Sequence, residues 1–352
     1  MTFKIIILIL VSVWVAPFNA PAFQPQTAPN YIDSMVSSVR NGNGAPRASS
    51  GLTRPQAATP SKLGLSGKPS PDQKAPAAKT KSASLHVEKP ASQPRVKAKA
   101  MFCLDRSSNR VVFAENESAP LPIASITKLL TAMVVIDQMD LNEVVETPAD
   151  IMEVAKHTVG IRPGDLFKVK DLLHGMLIES GNDCAESLAR AYPKGGRPAF
   201  IESMNRKAQE LGLNQVKVYT PSGLDHKFTL GRKDGREILA KKPNIATAED
   251  VAMLAGHAFK YPLIAEISSS KTYVMKSVNP KPHEYNLVNN DKLLRTDLPV
   301  AGAKTGFTNM AGKCIVALFK KNNKEHLVVV LNTPHHFKAA EKIYRWASDK
   351  KL

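Results

Sequence analysis

The sequence predicts an α+β domain: an antiparallel sheet flanked by helices, with an all-helical insertion between its first and last strands. Three observations lead there. Two β-rich runs, "AKAMFCLD" (98–105) and "NRVVFAEN" (109–116), open the ordered region. Two more, "KCIVALFKK" (313–321) and "HLVVVLNT" (326–333), come near its end, and the stretch from about Glu143 to Tyr261 is mostly helical in pattern. Runs rich in β-branched and aromatic residues, bounded by polar turns, read as strands. Strands grouped at the two ends of a helical block, rather than alternating with helices, point to α+β.

Taken in order, the first two runs form a hairpin around the polar turn Arg106 to Asn109. After the breaker Pro122, a helix runs from about Ser125 to Gln138 with Leu129, Met133 and Ile136 along one face. The insertion holds "VKDLLHGMLIESGNDCAESLARAY", then "RPAFIESMNRKAQELG" closed by Gly212, then "ATAEDVAMLAGHAFK". Asn322-Asn323 joins the late strands. A final helix spans about Phe337 to Lys350, with Phe337, Ala340, Tyr344 and Ala347 spaced to pack on a sheet; a membrane-surface role is the alternative for that face.

Ahead of this domain, placed at 98–352, stand two other regions. Lys4, the apolar run Ile5 to Ala16 and the small residues ending Ala20-Pro21-Ala22 have the layout of a secretory signal cleaved after Ala22. Pro17 ends the run short of the roughly 20 apolar residues that a membrane span needs. The mature protein is therefore expected in the periplasm or cell envelope, with retention of the apolar run as an anchor the alternative to cleavage. Residues 23–97 form a basic linker rich in Pro, Ser and Ala, a composition that cannot bury enough apolar surface to offset chain entropy. Within it only "YIDSMVSSVR" shows helical spacing.

The net charge is +17, and residues 23–100 carry twelve Lys/Arg against three Asp/Glu, more than half of the excess. Such a stretch attracts polyanions. For an exported chain these are anionic wall polymers or a membrane surface. Nucleic acid is excluded as a partner, since no Arg/aromatic interleaving or DNA-binding motif accompanies the charge. Cys103, Cys184 and Cys314 are too few and too scattered for a disulfide framework. The nine histidines contain no metal-binding spacing, and His335-His336 reads as a solvated loop pair.

The chemistry lies in three short motifs. Ser-x-x-Lys occurs three times, at Ser125/Lys128, Ser268/Lys271 and Ser348/Lys351, and Ser-x-Asn four times, at Ser107, Ser180, Ser203 and Ser277. Alone, neither means much. Order and context single out Ser125-Ile126-Thr127-Lys128 opening an apolar helix, Ser180-Gly181-Asn182 in the insertion, and Lys304-Thr305-Gly306, which occurs once, before the late strands. A serine hydroxyl needs a base to become a nucleophile, and a residue three positions on lies on the same helix face. Lys128 can act as that base when burial and a second cation such as Lys304 keep it partly neutral. Ser180 and Asn182 can relay a proton and hold a substrate amide. Lys304 and Thr305 can bind a substrate carboxylate, and Gly306 lets a backbone lie against the strand edge. Each motif also has a plain structural alternative: Ser125 as an N-cap, Ser180 as a surface polar residue of a helix, and Lys304 to Gly306 as a tight turn.

With "LPIASITKLLTAMVV", "LIESGNDCAESLA", "TPSGLD", "AEDVAML" and "AGAKTGFTNMAGKC", residues 100–352 resemble the serine D-alanyl-D-alanine peptidases among the low-molecular-mass penicillin-binding proteins, which share the β-lactamase/transpeptidase-like fold. "PIASITKLLTAMVVIDQ", "ARAYP", "AFIESMNRKAQELG", "NLVNN" and "KTGFTNMAGKC" are most similar to the soluble endopeptidases of that family, which cut peptidoglycan cross-links. The resemblance implies Ser125 as acyl-enzyme nucleophile, Lys128 as general base and Ser180 as a catalytic partner. It implies substrate contacts from Asn182, Lys304, Thr305, Gly306 and Phe307, with the Ser125 and Phe307 N–H groups as oxyanion hole. Stem peptides of peptidoglycan are the implied substrates and β-lactams the implied covalent inhibitors; no cofactor is implied. A carboxypeptidase acting on pentapeptides is the alternative. Further rivals are a class A-like β-lactamase, through the Glu-x-x-Leu-Asn match at Glu210, and a non-catalytic sensor or wall-binding scaffold. "DHKFTLGRKDGREILAKKP" (225–243) exceeds the family pattern in length and charge and reads as a solvated insertion or a docking element for an anionic polymer or partner.

Overall fold

The computed structural model describes residues 93–349 except 155, 156, 234 and 235. The signal segment and the linker up to residue 92 lie outside the described residues. At the start of the described residues Val96 and Ala98 pack against the core, and Lys342 Nζ donates to the Arg95 carbonyl.

The chain opens with the hairpin β1 (Ala100–Asp105) and β2 (Arg110–Glu115), followed by the short β3 (Leu121–Pro122). A 3-10 turn, Ala124–Thr127, leads into α1 (Lys128–Gln138). The insertion then contains β4 (Val144–Glu146), α2 (Ile151–Val154), β5 (Leu166–Lys168), α3 (Val169–Ile178), α4 (Asn182–Arg190) and α5 (Gly196–Glu210). Next come the hairpin β6 (His226–Lys233) and β7 (Arg236–Lys242), the short β8 (Ile245–Ala246), α6 (Ala248–Ala258) and α7 (Pro262–Ser269). A second small hairpin, β9 (Thr272–Lys276) and β10 (Glu284–Val288), precedes β11 (Val300–Thr308), β12 (Gly312–Lys321), β13 (Lys324–Thr333) and α8 (His336–Ser348).

Chain ends meet in one five-stranded sheet of order β11-β12-β13-β1-β2, antiparallel throughout. β1 and β13 pair from Ala100↔Leu331 to Asp105↔His326. This pairing of early and late strands requires the intervening helices to form an insertion. The packing spacing seen in the last helix holds: Ala340, Tyr344 and Ala347 are buried in a cluster with Cys103, Ile315, Ala317, Phe319, Val328 and Val330, with Phe337 partly buried beside it. α1 is the central helix, with Leu129, Leu130, Ala132, Met133, Val134 and Val135 all inaccessible. A helix apolar on nearly every side belongs inside a core.

Several details differ from the sequence reading. The run 169–192 is two helices rather than one, broken at Ser180, whose φ is +61°. Gly181 is confined there, because a Cβ on it would lie 2.8 Å from Val159 Cγ2 and 2.9 Å from Asp183 Oδ1. Within the 225–243 stretch β6 and β7 pair as a hairpin whose described residues are mostly exposed. Lacking a buried face, it shows no apolar alternation. His336 is not a loop residue: it opens α8 half-buried beneath Phe337, with ring centroids 4.0 Å apart, and burial pushes its imidazole down to about 4.

Candidate active site

Burying a lysine amine penalises its charged form, and Lys128, on the first turn of the central helix, is fully buried. Its pKa is held well below the ordinary lysine value, first by desolvation and next by the charge of Lys304, against the opposing pull of Glu186 and Asp183. Three groups surround Nζ: Asn182 Oδ1 at 2.6 Å, the Ser222 carbonyl at 2.6 Å and Ser125 Oγ at 3.0 Å. A neutral amine has two N–H bonds and one lone pair. Two neighbours are carbonyl oxygens, which can only accept. They take the two hydrogens and leave the lone pair for the Ser125 hydroxyl proton.

Ser125 is not a helix cap. The cap position of its turn is Ile123, with no side-chain capping bond. Ala124 ahead of it has φ +47°, a left-handed conformation that costs a non-glycine residue about 1–2 kcal/mol. Two glycines pack against this segment. A Cβ on Gly223 would stand 2.1 Å from the Ala124 carbonyl oxygen, and one on Gly306 would stand 2.8 Å from the Ile123 oxygen and 3.0 Å from the Ser125 nitrogen. The crowding at Gly306 therefore comes from the chain's own turn, and it sets the Ser125 amide directly beside β11.

The second motif occupies the break between α3 and α4. Asp183 organises it: its carboxylate accepts from the backbone N–H groups of Val159, Gly160, Ile161 and Cys184, at 2.9 to 3.2 Å. The Asn182 N–H donates to the His157 carbonyl. Ser180 Oγ accepts from Lys304 Nζ at 2.9 Å. The third motif is no turn, since Lys304, Thr305 and Gly306 are central residues of β11, paired with Val316, Ile315 and Cys314. Burial pulls the Lys304 amine down to about 7, against the charge of Asp291.

The three motifs converge on one cleft of about 750 Å³, into which Ser125, Ser180, Asn182, Thr305, Gly306 and Phe307 open. Lys128 and Lys304 lie buried beneath it. Among the described residues β11 is an edge strand, so its free edge can take an extended peptide. The decoys lie elsewhere: Ser268/Lys271 at the end of α7, Ser107 in the first turn, Ser203 within α5 and Ser277 after β9; none of these lines the cleft. Glu210 is exposed at the end of α5, with Gly212 following at φ +73°, so the match to a deacylating glutamate marks a helix end.

Sequence reasoning missed three contributors. Ser222 acts through its backbone carbonyl, which carries no residue-type signature. Asp183 works through four backbone donors and through its charge near Lys128. Asn244, buried, accepts from the Tyr219 and Thr220 N–H groups and donates to Thr127 Oγ1 and the Thr220 carbonyl, tying the 219–222 segment to the catalytic turn.

Residues 87–335 match the D-alanyl-D-alanine carboxypeptidase family, peptidase S11. The chain is 32% identical over 270 residues to the D-alanyl-D-alanine endopeptidase of Escherichia coli (strain K12), covering 74% of this chain and 81% of that protein. It is also 32% identical over 250 residues to the D-alanyl-D-alanine endopeptidase of Pseudomonas aeruginosa, covering 69% and 74%. Among solved structures, a D-alanyl-D-alanine carboxypeptidase from Mycobacterium tuberculosis H37Rv superposes with a TM-score of 0.65 at 28% identity, over 74% of this chain and 94% of that one.

Proposed function

The chain belongs to the peptidase S11 family, whose members are serine D,D-peptidases, and we propose that it cuts D,D-cross-links in peptidoglycan through an acyl-enzyme on Ser125. The observation that carries this reading is the 3.0 Å approach of a buried, charge-depleted Lys128 amine to Ser125 Oγ. In acylation the Lys128 lone pair takes the Ser125 proton while Oγ bonds to the D-alanyl carbonyl carbon. The Ser125 and Phe307 N–H groups stabilise the oxyanion. Collapse breaks the scissile C–N bond, and the leaving amine takes a proton delivered through Ser180. Lys304 and Thr305 bind the carboxylate on the leaving side, and Asn182 meets the substrate amide on the acyl side. Water then attacks the ester with Lys128 again as base, releasing the acyl group as a carboxylate and freeing Ser125. β-Lactams acylate the same hydroxyl.

The endopeptidase form of this activity is supported by the two relatives bearing that name. Removal of the terminal D-alanine from pentapeptides is the second reading, because Lys304 and Thr305 suit a free terminal carboxylate equally well. Chromatography and mass spectrometry of D,D-cross-linked dimeric and monomeric pentapeptide muropeptides, incubated with residues 23–352 and with Ser125→Ala, separates the two. Dimers resolved to monomers only by wild type support the endopeptidase; loss of terminal D-alanine alone supports the carboxypeptidase. Unchanged pools in both would leave the sensor or scaffold reading.

Lys4, the apolar run after it and Ala20-Pro21-Ala22 support export to the periplasm or cell envelope with removal of residues 1–22, which N-terminal sequencing of protein from the envelope tests. The basic stretch 23–97 supports contact with anionic wall polymers or the membrane surface. A place in shaping the cell wall follows from cross-link cleavage.

A further inference from the structure

Beyond Phe307 the chain leaves the Ser125 cleft and enters a second concavity of about 420 Å³ that shares His157, Leu224 and Phe307 with the first and is also lined by Thr308 and Asn309. Its charged walls are Glu153, Glu186, Arg197, Asp225, Lys227 and Lys241. Three of these are engaged, Glu186 and Arg197 pairing at 2.6 Å and Asp225 accepting from Thr308 Oγ1 at 3.2 Å, while Glu153, like Lys227 and Lys241, is exposed. The two lysines differ. They are direct cross-strand partners in the β6–β7 hairpin, so both project from one face, where opposed like charges destabilise a sheet. Neither enters an ion pair among the described residues.

The hairpin that carries them is anchored at its base. Tyr219, His226 and Phe228 stack in sequence with ring centroids 6.5 and 6.3 Å apart, and Lys242 Nζ lies over Tyr219 and Phe228 at 5.7 and 5.0 Å. Aromatic and cation–π contacts of this kind hold the cavity-lining end of the strands in place. An anion between Lys227 and Lys241 turns the repulsion of a fixed pair into two attractions.

Direction along β11 identifies the anion's owner. The leaving side of the substrate is defined by Lys304 and Thr305, so an extended peptide on the strand's edge runs its acyl side past Phe307 towards Thr308 and Asn309. Two or three extended residues span about 7–10 Å, and the two concavities adjoin through His157, Leu224 and Phe307. We propose that Lys227 and Lys241 form an anion subsite for a carboxylate borne on the acyl-side arm of the substrate peptide, the arm that remains bonded to Ser125 in the acyl-enzyme. This subsite rests on the D,D-peptidase reading and adds a substrate class to it: peptides with a free acidic group two or three residues before the scissile bond. Neither lysine belongs to the three catalytic motifs.

The test compares a D-alanyl-D-alanine peptide carrying that carboxylate with its primary amide, using wild type and a Lys227→Gln/Lys241→Gln variant. Wild type is expected to prefer the acidic peptide by about tenfold in kcat/KM, a preference that shrinks with added salt. The variant is expected to lose the preference by slowing on the acidic peptide only. Equal slowing on both peptides, or a preference that survives the substitution, overturns the proposal. A second arm is independent of peptide turnover: the rate of Ser125 acylation, read by mass spectrometry, for a penicillin whose side chain ends in a carboxylate against its methyl ester. If no peptide is cleaved but lysine-dependent discrimination between the penicillins remains, the subsite stands and the peptidase reading falls. Peptide cleavage without discrimination in either pair sinks the subsite alone. Lysine-dependent binding of a phosphate-containing wall polymer, with no discrimination in either pair, assigns the lysines to that polymer and also overturns the proposal.

Discussion

Lys128 Nζ stands 3.0 Å from Ser125 Oγ, with its two remaining polar neighbours, Asn182 Oδ1 and the Ser222 carbonyl, both obligate acceptors. The arrangement commits the amine's hydrogens and leaves its lone pair facing the hydroxyl. Burial, and next to it charge repulsion from Lys304, keep it available as a base.

Lys128→Arg keeps a side chain of similar length but replaces the neutral amine with a permanent cation and removes the base, since a guanidinium does not give up its proton in a protein. Acylation of Ser125 by benzylpenicillin is expected to slow by about 10²–10⁴-fold, the usual contribution of a general base. Ser125→Ala is expected to leave no covalent adduct by mass spectrometry. An arginine variant that acylates at the wild-type rate would remove Lys128 from the mechanism.

Lys304 titrates at about 7 in the free protein. Its cation, proposed above to bind the substrate carboxylate, is present below that pH and lost above it. Accordingly kcat/KM for a carboxylate-ended substrate is expected to fall as the pH rises through about 7. The charge of Asp291 raises the Lys304 value, so Asp291→Asn is expected to move this alkaline limb to lower pH. A limb that stays in place in the variant would show that another group sets it.

Gly223 has φ +84°, and a Cβ there would stand 2.1 Å from the Ala124 carbonyl oxygen, one residue before the nucleophile. Neither side of this contact is a flexible side chain, so Gly223→Ala must displace the catalytic turn. Overpacking costs about 1–3 kcal/mol, and the left-handed alanine about 1–2 kcal/mol more. For a domain of this size that lowers Tm on the order of 10 °C. β-Lactam acylation is expected to slow by more than tenfold. Wild-type Tm and acylation in the variant would mean that the 222–224 segment does not hold Ala124.

These sites differ in how far they were legible in the sequence. The central strands were readable because their β-branched runs are buried and end at polar turns, as in Val328 to Leu331. β9 and β10 were not: in each strand only one residue is buried, and seven residues separate them. The β6–β7 hairpin was missed as structure because it has almost no buried residue to create a period. Ser180 was read as helical because apolar residues recur at helical spacing on both sides of it, in Leu172 to Ile178 and in Ala185 to Ala189, whereas the Gly181-Asn182-Asp183 that follows is a run of poor helix formers, and the fold holds Ser180 at φ +61°. The motif side chains that the cleft brings together announced themselves by residue type and order. Ser222, which serves through a peptide carbonyl, had no way of doing so.

Asn244 supplies the last prediction. Its Oδ1 accepts from the Tyr219 and Thr220 N–H groups, and its Nδ2 donates to Thr127 Oγ1 and the Thr220 carbonyl. From the other side, Thr131 Oγ1 donates to the Pro221 carbonyl at 2.6 Å and Lys128 to that of Ser222. The 219–222 segment is thus clamped between α1 and one asparagine. Asn244→Ala leaves several buried groups unpartnered, each worth about 1–3 kcal/mol before relaxation, so a loss of roughly 2–4 kcal/mol is expected by denaturant titration. Asn244→Asp keeps the two acceptor bonds and is expected to recover part of that loss. A merely structural role would end there. If Asn244 positions the Ser222 carbonyl, then the alanine variant also loses an acceptor that favours protonated Lys128, and the acid limb of the acylation rate shifts to lower pH. Reduced stability with an unmoved acid limb would show that Lys128 keeps its carbonyl partner without Asn244.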